Sequence, residues 1–133
     1  MTHRVEDTTI AHVMETLIAN GLDGMADALS VLMNEAMKLE RSKFLGAGPF
    51  ERSEDRRGYA NGFKDKTVRS RLGELGLRIP QVRETADGQT FYPQALERGL
   101  RSERALTLAV AEMYVNGVST RRVKEITREL CGL

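Results

Sequence analysis

Two short segments carry the residue types that contact a phosphate backbone. The first, Arg56-Arg57-Gly58-Tyr59-Ala60-Asn61-Gly62-Phe63, places basic and aromatic side chains on a backbone that two glycines can bend. The second, residues 114–123, predicts a helix, a tight turn and a second helix that opens with two arginines. Arginine, lysine and tyrosine are among the side chains that bond phosphate oxygens. Both segments therefore suit contact with a nucleic acid.

A third segment, residues 73–80, lies between these two, and the order of all three is informative. Together they resemble the N-terminal half of the Mutator-type transposases that bacterial insertion sequences encode. The resemblance runs from about residue 25 to residue 133. It rests on the series of an arginine pair, Gly58-Tyr59-x-Asn61-Gly62, a basic hairpin that ends in proline, and residues 117–123. The resemblance implies a protein that binds double-stranded DNA at the terminal inverted repeats of an insertion sequence during transposition.

The resemblance also implies a metal-dependent chemistry that this chain does not carry. The family is similar to retroviral-integrase-like enzymes, in which three carboxylates on an α/β domain hold two divalent metal ions. Such a domain needs alternating strands and helices over about 100 residues, and the pattern here does not alternate. Glu51, Glu54, Asp55 and Asp65 lie among arginines and lysines, where salt bridges explain them. We expect no catalytic residue, metal ligand or cofactor here; divalent metal belongs to the missing catalytic domain. Whether the chain counts as an enzyme is therefore open, and we predict it inactive by itself.

Length and composition set the class of protein. The 133 residues suffice for one average domain or two small ones. No apolar run approaches the roughly 18 residues of a membrane span, and acidic Glu6 and Asp7 lie where a signal peptide is basic. A single cysteine, Cys131, with only His3 and His12 besides, excludes an internal disulfide and a zinc-ligand set. We expect a bacterial cytoplasmic, nucleoid-associated protein with no membrane contact and no small-molecule substrate.

Positive charge is concentrated in the middle of the chain. The net charge is only +1, which by itself argues against a nucleic-acid partner. Residues 1–48 hold 4 Lys and Arg against 7 Asp and Glu, residues 49–83 hold 9 against 5, and residues 84–133 hold 7 against 7. A local field steers a polyanion more than the total charge does. The middle third is therefore the first candidate for DNA contact.

Apolar residues recur at helical spacing over residues 10–18 and again over residues 25–39, where Met33 and Met37 widen the apolar face. Glycines at 46 and 48 and Pro49 end the second helix. One interpretation packs the two helices on each other. The alternative makes the methionine-rich face a dimer surface, and we expect a homodimer.

The central segment alternates as β-strands do. A two-residue turn at Gly73 and Glu74 predicts a hairpin with one apolar face, made by the pairs Leu72 with Leu75, Ser70 with Leu77, and Val68 with Ile79. The same register sets Arg69 opposite Arg78, a repulsive pair that a phosphate between them would stabilise. The alternative is a solvated face whose arginines only protect a sheet edge.

Aromatic residues in this region have two interpretations. Tyr59 and Phe63 suit stacking on bases or sugars, or they anchor the hairpin to its surroundings. Asn61 before Gly62 indicates a turn first and a DNA contact second. Phe91 and Tyr92 predict an extended segment that packs on the hairpin.

Two amphipathic helices are predicted after residue 101, with a break at Asn116 and Gly117 and an N-cap at Ser119. They suit a helix-turn-helix with residues 120–130 as the recognition helix. In a second interpretation residues 130–133 form the central turn, so that residues 120–130 are the backbone-crossing first helix. A plain helical hairpin with solvated arginines is the third.

We therefore predict a mainly α fold with a small β-hairpin, of the α+β class. It has an N-terminal helical segment (1–48), a basic hairpin module (49–98) and a helix-turn-helix-like pair that is truncated (99–133). The predicted DNA-binding residues are Arg56, Arg57, Tyr59, Asn61, Lys64, Lys66, Arg69, Arg71, Arg78, Arg121, Arg122, Lys124 and Arg128. The alternative functions are a non-catalytic dimerising interaction module and a truncated regulator of transposition.

The first prediction concerns catalysis. We expect the purified chain to leave supercoiled DNA intact in the presence of magnesium or manganese, because the carboxylate domain of the resembled family is missing. The measurement is an agarose-gel nicking assay. Metal-dependent nicking that disappears with Asp65→Asn would show that the acidic residues of the hairpin are catalytic.

Overall fold

The computed structural model describes residues 11–12, 15–16, 24–46, 58–83, 85, 88–117 and 119–131. Within them the chain forms helix α1 (Met25–Leu45), strands β1 (Tyr59–Ser70) and β2 (Gly73–Arg83), and helices α2 (Gln94–Arg101), α3 (Glu103–Asn116) and α4 (Thr120–Cys131). The strands form one antiparallel sheet. The predicted α+β class with a small hairpin is confirmed. Most of the predicted helix over residues 10–18 lies outside the described residues.

Helix α1 supplies the centre of the core. Its apolar residues recur at helical spacing, and six of them are completely buried: Ala28, Leu29, Leu32, Met33, Ala36 and Met37. The helix ends at Gly46, whose φ of 73° is the left-handed conformation that glycine adopts readily. Because Met33 and Met37 are 0% exposed, these methionines pack within the chain, which favours the interpretation of this face as core; dimerisation through the N-terminal segment stays a prediction.

The hairpin turn lies two residues earlier than the sequence predicts. Gly73 pairs with Ser70, so Arg71 and Leu72 form the turn and every cross-strand partner is shifted by four residues. Val68 lies opposite Leu75 instead of Ile79. Because the shift is even, each side chain keeps its predicted face, and the buried side chains of β2 are still Leu75, Leu77 and Ile79.

Local and distant hydrogen bonds explain this turn. The Ser70 hydroxyl donates to the carbonyl of Gly73 at 2.7 Å and accepts the N–H of Leu72 at 3.2 Å. Gly73 has a φ of 124°, a conformation that L side chains rarely adopt, so glycine suits the first position of β2. The backbone N–H of Arg71 donates to the carboxylate of Glu103 at the start of α3. The tip of the hairpin is therefore tied to a helix.

Polar side chains of α1 hold the rest of the hairpin. The Asn34 amide donates to the carbonyl of Gly76 at 3.2 Å and accepts the N–H of Arg78 at 2.9 Å. It thereby pairs with the outer edge of β2 as a neighbouring strand would. Arg41 donates to the carbonyls of Gly62 at 2.9 Å and Gln81 at 3.2 Å, which joins both strands to α1.

Helix α2 is only eight residues long and was not predicted from the sequence. Its start is capped by a residue of another helix: the Glu40 carboxylate accepts the backbone N–H groups of Gln94 at 2.8 Å and Ala95 at 2.9 Å. These are donors that a helix leaves without internal partners. Gly99 lets α2 approach α1 closely, since a Cβ there would lie 2.4 Å from Cε of Met33.

Helices α3 and α4 follow the prediction. Leu106, Ala109, Val110 and Met113 of α3 are buried, as are Val123, Ile126, Thr127 and Leu130 of α4. The break falls at Gly117, with a φ of 93°. The Ser119 hydroxyl accepts the N–H of Arg122 at 3.2 Å, which confirms its role as N-cap.

Buried residues from α1, β2, α2, α3 and α4 form one hydrophobic cluster. The predicted division into segments 1–48, 49–98 and 99–133 stays a prediction. In the described part of the chain, none of the helices has the length and apolar character that crossing a membrane requires.

Glu40→Ala should destabilise the protein by about 1–2 kcal/mol, because it leaves the first N–H groups of α2 without their acceptor. Glu40→Gln keeps an acceptor oxygen and should lose less. Thermal and urea unfolding measure the effect. The control is Glu129→Ala on the exposed side of α4, which should stay within about 0.5 kcal/mol of the parent. Equal stability of the Glu40→Ala and parent proteins would contradict the capping role.

Candidate nucleic-acid interface

The predicted DNA-binding residues fall on two separate surfaces. Arg56 and Arg57 lie outside the described residues. Strand β1, the turn and β2 carry the first group, Tyr59, Asn61, Lys64, Lys66, Arg69, Arg71 and Arg78; α4 carries the second, Arg121, Arg122, Lys124 and Arg128. All of the residues in these two groups are exposed except Arg122, which is half-buried.

The predicted opposition of Arg69 and Arg78 is wrong. In the observed register Arg69 lies opposite Glu74 and Arg78 lies opposite Asp65, with 3.7 Å between Nε of Arg78 and Oδ1 of Asp65. Because the N–H of Arg78 is directed to Asn34, Arg78 and Asp65 form a non-hydrogen-bonded pair, in which opposite side chains lie close. This face therefore pairs opposite charges and needs no anion to hold it together.

Phe63 serves as an anchor of the hairpin. The guanidinium carbons of Arg41 and Arg78 lie 4.7 Å and 4.5 Å from the centre of its ring. Such cation–π contacts favour a guanidinium over the ring face. Burial lowers the pKa of Arg41, yet a guanidinium stays charged at neutral pH. Of the two interpretations of Phe63, the structure supports anchoring over base stacking.

The other hairpin candidates remain exposed. Lys64 and Lys66 lie opposite Ile79 and Leu77, so they are on the opposite face of the sheet from Arg69 and Arg78. Asn61 lies where the register shifts between Ala60 and Phe63, and Gly62 there has a φ of 68°. The predicted Asn-Gly turn is therefore an irregularity within β1. Cations project from both faces of the hairpin instead of from one basic face.

Tyr59, the other stacking candidate, is 46% exposed and lies at the open end of the hairpin. The guanidinium carbon of Arg83 lies 5.5 Å from the centre of its ring. This contact already covers part of the ring with a cation.

The exposed cations of helix α4 lie on one side of the helix, in contrast to those of the hairpin. Arg121, Lys124 and Arg128 are exposed and line one shallow depression with Glu125. Nε of Arg121 lies 3.1 Å from the Glu125 carboxylate. The spacing of three and four residues puts these three cations on the same side of the helix.

Arg122 has a different role. Its guanidinium contacts Glu125 on α4 at 3.2 Å and Glu112 on α3 at 3.5 Å, and its side chain is largely covered. It thereby links α4 to α3. The helix-turn-helix interpretations and the plain helical hairpin stay open, because residues 132–133, which one interpretation requires, lie outside the described residues.

A groove of about 470 Å³ lies between the end of α1 and the start of α2, and it was not predicted from the sequence. Phe91 packs on Phe44 of α1, with ring centres 5.1 Å apart; the predicted packing of this segment on the hairpin stays a prediction. Tyr92 beside Phe91 is 52% exposed and lines the groove. Lys43 is the last basic residue of α1 and lines it as well.

Arg98 completes the groove and connects it with α4. Its Nη1 donates to the carbonyl of Leu130 at 3.2 Å, in the last turn of α4. The feature of the sequence that could have indicated this groove is the adjacent aromatic pair before Pro93. The residues of α1 that complete the groove lie about 50 positions earlier, so the sequence pattern did not connect them with this pair.

Within the described residues no three His, Cys, Asp or Glu side chains are grouped so that they could hold a metal ion.

Comparisons with known proteins agree with each other. The family description "Transposase, Mutator family" matches residues 1–133. The transposase for insertion sequence element IS406 of Burkholderia multivorans is 54% identical over 132 residues, 99% of this chain and 33% of the relative. The transposase for ISRM5 of Rhizobium meliloti is 43% identical over 99% of this chain and 32% of the relative.

A more distant relative gives the same picture. The transposase for IS256 in transposon Tn4001 of Staphylococcus aureus is 39% identical over 83% of this chain and 27% of the relative. The chain thus spans about a third or less of the length of these curated relatives. No solved structure matches it.

Arg78→Thr tests the register. The change removes the contact with Asp65 and one guanidinium over Phe63, so we expect a loss of about 0.5–1.5 kcal/mol in the free energy of unfolding. Asp65→Asn removes only the ion pair and should cost less. Lys66→Thr, at an exposed position of the same hairpin, is the matched control. If the Arg78→Thr protein melts at or above the temperature of the parent, the result would support the predicted register, in which Arg69 lies opposite Arg78.

Proposed function

This chain belongs to the Mutator family of transposases, and we propose that it recognises DNA by binding the terminal inverted repeats of an insertion sequence. The observation that carries the proposal is the exposed basic side of α4, formed by Arg121, Lys124 and Arg128. The relatives are transposases for insertion sequence elements. Neutralising phosphates with such side chains supplies most of the affinity of non-specific binding.

The dimensions of α4 suit this role. A helix with its side chains is about 10–12 Å across, and the major groove of B-DNA is about 12 Å wide. As a recognition helix, α4 enters that groove; as the first helix of a helix-turn-helix, it crosses the backbone. In both arrangements Arg121 and Arg128 contact DNA, while Arg122 keeps α4 fixed to α3.

The hairpin adds a second, weaker contact in our proposal. Lys64, Lys66 and Arg71 are exposed and bind phosphates, which positions the protein without reading sequence. Arg69 and Arg78 contribute less, because each lies opposite a carboxylate across the strands. We propose a location in the cytoplasm at the nucleoid, and we assign strand cutting and joining to the part of the transposase that this chain does not span.

The second candidate is a dimerising interaction module or a truncated regulator of transposition. One observation favours a protein contact: Leu108 and Val115 on the outer side of α3 are 64% and 80% exposed. They lie seven residues apart and therefore share one side of the helix. If the chain forms a homodimer, this side is available for it, whereas Met33 and Met37 are buried within the chain.

A salt titration of duplex binding tests the proposal. If about 4–6 phosphates are neutralised, log K should fall with log[salt] with a slope of about −4 to −5. Arg128→Gln should weaken binding and reduce the slope by about one, with unchanged thermal stability. Fluorescence anisotropy with a labelled duplex measures both quantities.

The matched control is Arg104→Gln, an exposed arginine on α3, which should bind as the parent does. Specific recognition would appear as tighter binding to a terminal repeat than to a scrambled duplex at the same salt concentration. No duplex binding at low salt, together with salt-insensitive self-association, would replace the DNA proposal with the interaction module.

A further inference from the structure

We propose that the groove between α1 and α2 binds one unpaired nucleotide of a DNA strand, with its base on Tyr92 and its phosphate between Lys43 and Arg98. The inference rests on the proposed function for the choice of DNA as ligand. It goes further, because none of these three residues belongs to the predicted DNA-binding set. It also assigns a strand conformation, an unpaired nucleotide beside a duplex, that the basic sides of α4 and the hairpin do not require.

Tyr92 has the position that a stacking platform needs. Its ring is half exposed at the wall of an open groove of about 470 Å³, within the range of about 300–1,000 Å³ typical of small-ligand sites. Packing of Phe91 on Phe44 holds the segment on α1, and Pro93 restricts the backbone on the other side. Phe63 and Tyr59, by contrast, each have a guanidinium over the ring. Of these three rings, Tyr92 is therefore the best placed for stacking.

The charges of the groove favour an anion. Lys43 and Arg98 are its two cationic lining residues among the residues that the structure describes, and within the same residues Glu40 is the one acidic residue that lines it. The Glu40 carboxylate is already directed to the N–H groups of Gln94 and Ala95, which offset its charge. Arg98 uses Nη1 for the carbonyl of Leu130, and a guanidinium has five N–H donors. The remaining donors are sufficient for a phosphate oxygen.

Arg98 links the groove to α4. Its guanidinium donates to the carbonyl of Leu130 in the last turn of α4, the helix that also carries Arg128. In our proposal, a duplex bound to α4 places one of its strands at the groove.

Base pairing decides which nucleotide fits. A base within a duplex has both faces covered by its neighbours, whereas an unpaired base exposes a face that an aromatic side chain can stack on. Stacking of this kind tolerates any base, and the flanking cations follow the backbone. The ligand class is therefore an unpaired nucleotide of any sequence, such as a single-stranded tail or a splayed end.

The test compares three probes by fluorescence anisotropy: a blunt duplex, the same duplex with an oligothymidine tail, and the oligothymidine strand alone. We expect the tail to raise the affinity of the parent protein about fivefold or more. Tyr92→Ala should abolish this increment and leave blunt-duplex affinity unchanged, whereas Tyr92→Phe keeps a stacking ring and should retain it. Lys43→Gln should reduce the salt slope for the tailed probe by about one and leave that for the blunt probe unchanged.

The matched control is Tyr114→Ala, which removes a comparably exposed tyrosine, 42% against 52%, on α3. A parent that binds the blunt duplex but gains nothing from the tail would overturn this inference and leave the proposed function intact. Equal weakening of blunt and tailed binding by Tyr92→Ala would also overturn it, since Tyr92 would then contact the duplex. Failure to bind the blunt duplex would refute the proposed function. In that case, binding of the oligothymidine strand alone that depends on Tyr92 would still support the groove as a site for an unpaired nucleotide.

Discussion

Helix α1 fixes the position of every other element in the described part of the chain. Its buried face packs against β2, α2, α3 and α4, so the helix is surrounded and has little solvent-facing surface of its own. A surrounded helix must also satisfy polar groups where its neighbours meet it. Asn34, Glu40 and Arg41 do this, each accepting or donating two hydrogen bonds to the backbone of another element.

This arrangement separates two kinds of charged residue. The guanidinium groups of Arg41, Arg78 and Arg122 contact aromatic rings, carbonyls or carboxylates within the chain. Others, such as Lys64 on β1 and Arg128 on α4, project into solvent. A net charge of +1 is therefore compatible with a cationic side, because part of the charge balances locally in the fold. For the same reason the number of arginines in a segment is a poor guide to how many can contact a polyanion.

Periodicity predicted the parts of the fold that depend on one element at a time. The buried faces of α1, α3 and α4 follow from helical spacing, and the inward face of β2 follows from alternation. The hairpin register did not, because it depends on Ser70, on the φ of Gly73 and on a bond from Arg71 to Glu103, 32 residues away. Helix α2 was not predicted for the same reason. The side chain that caps it belongs to Glu40, which lies 54 and 55 residues before the two N–H groups that it binds. The groove beside it combines side chains from two such distant segments.

The amide of Asn34 has a consequence for how copies of this protein behave when they are crowded together. By occupying the edge of β2 it removes one of the two places where a foreign strand could add to the sheet. On the edge of β1, within the described residues, the consecutive charges of Lys64, Asp65 and Lys66 make strand addition unfavourable. A two-stranded sheet with one edge occupied and the other charged resists growth into amyloid-like ribbons. The hairpin can thus lie at the surface of the helices, with one face exposed, without promoting aggregation.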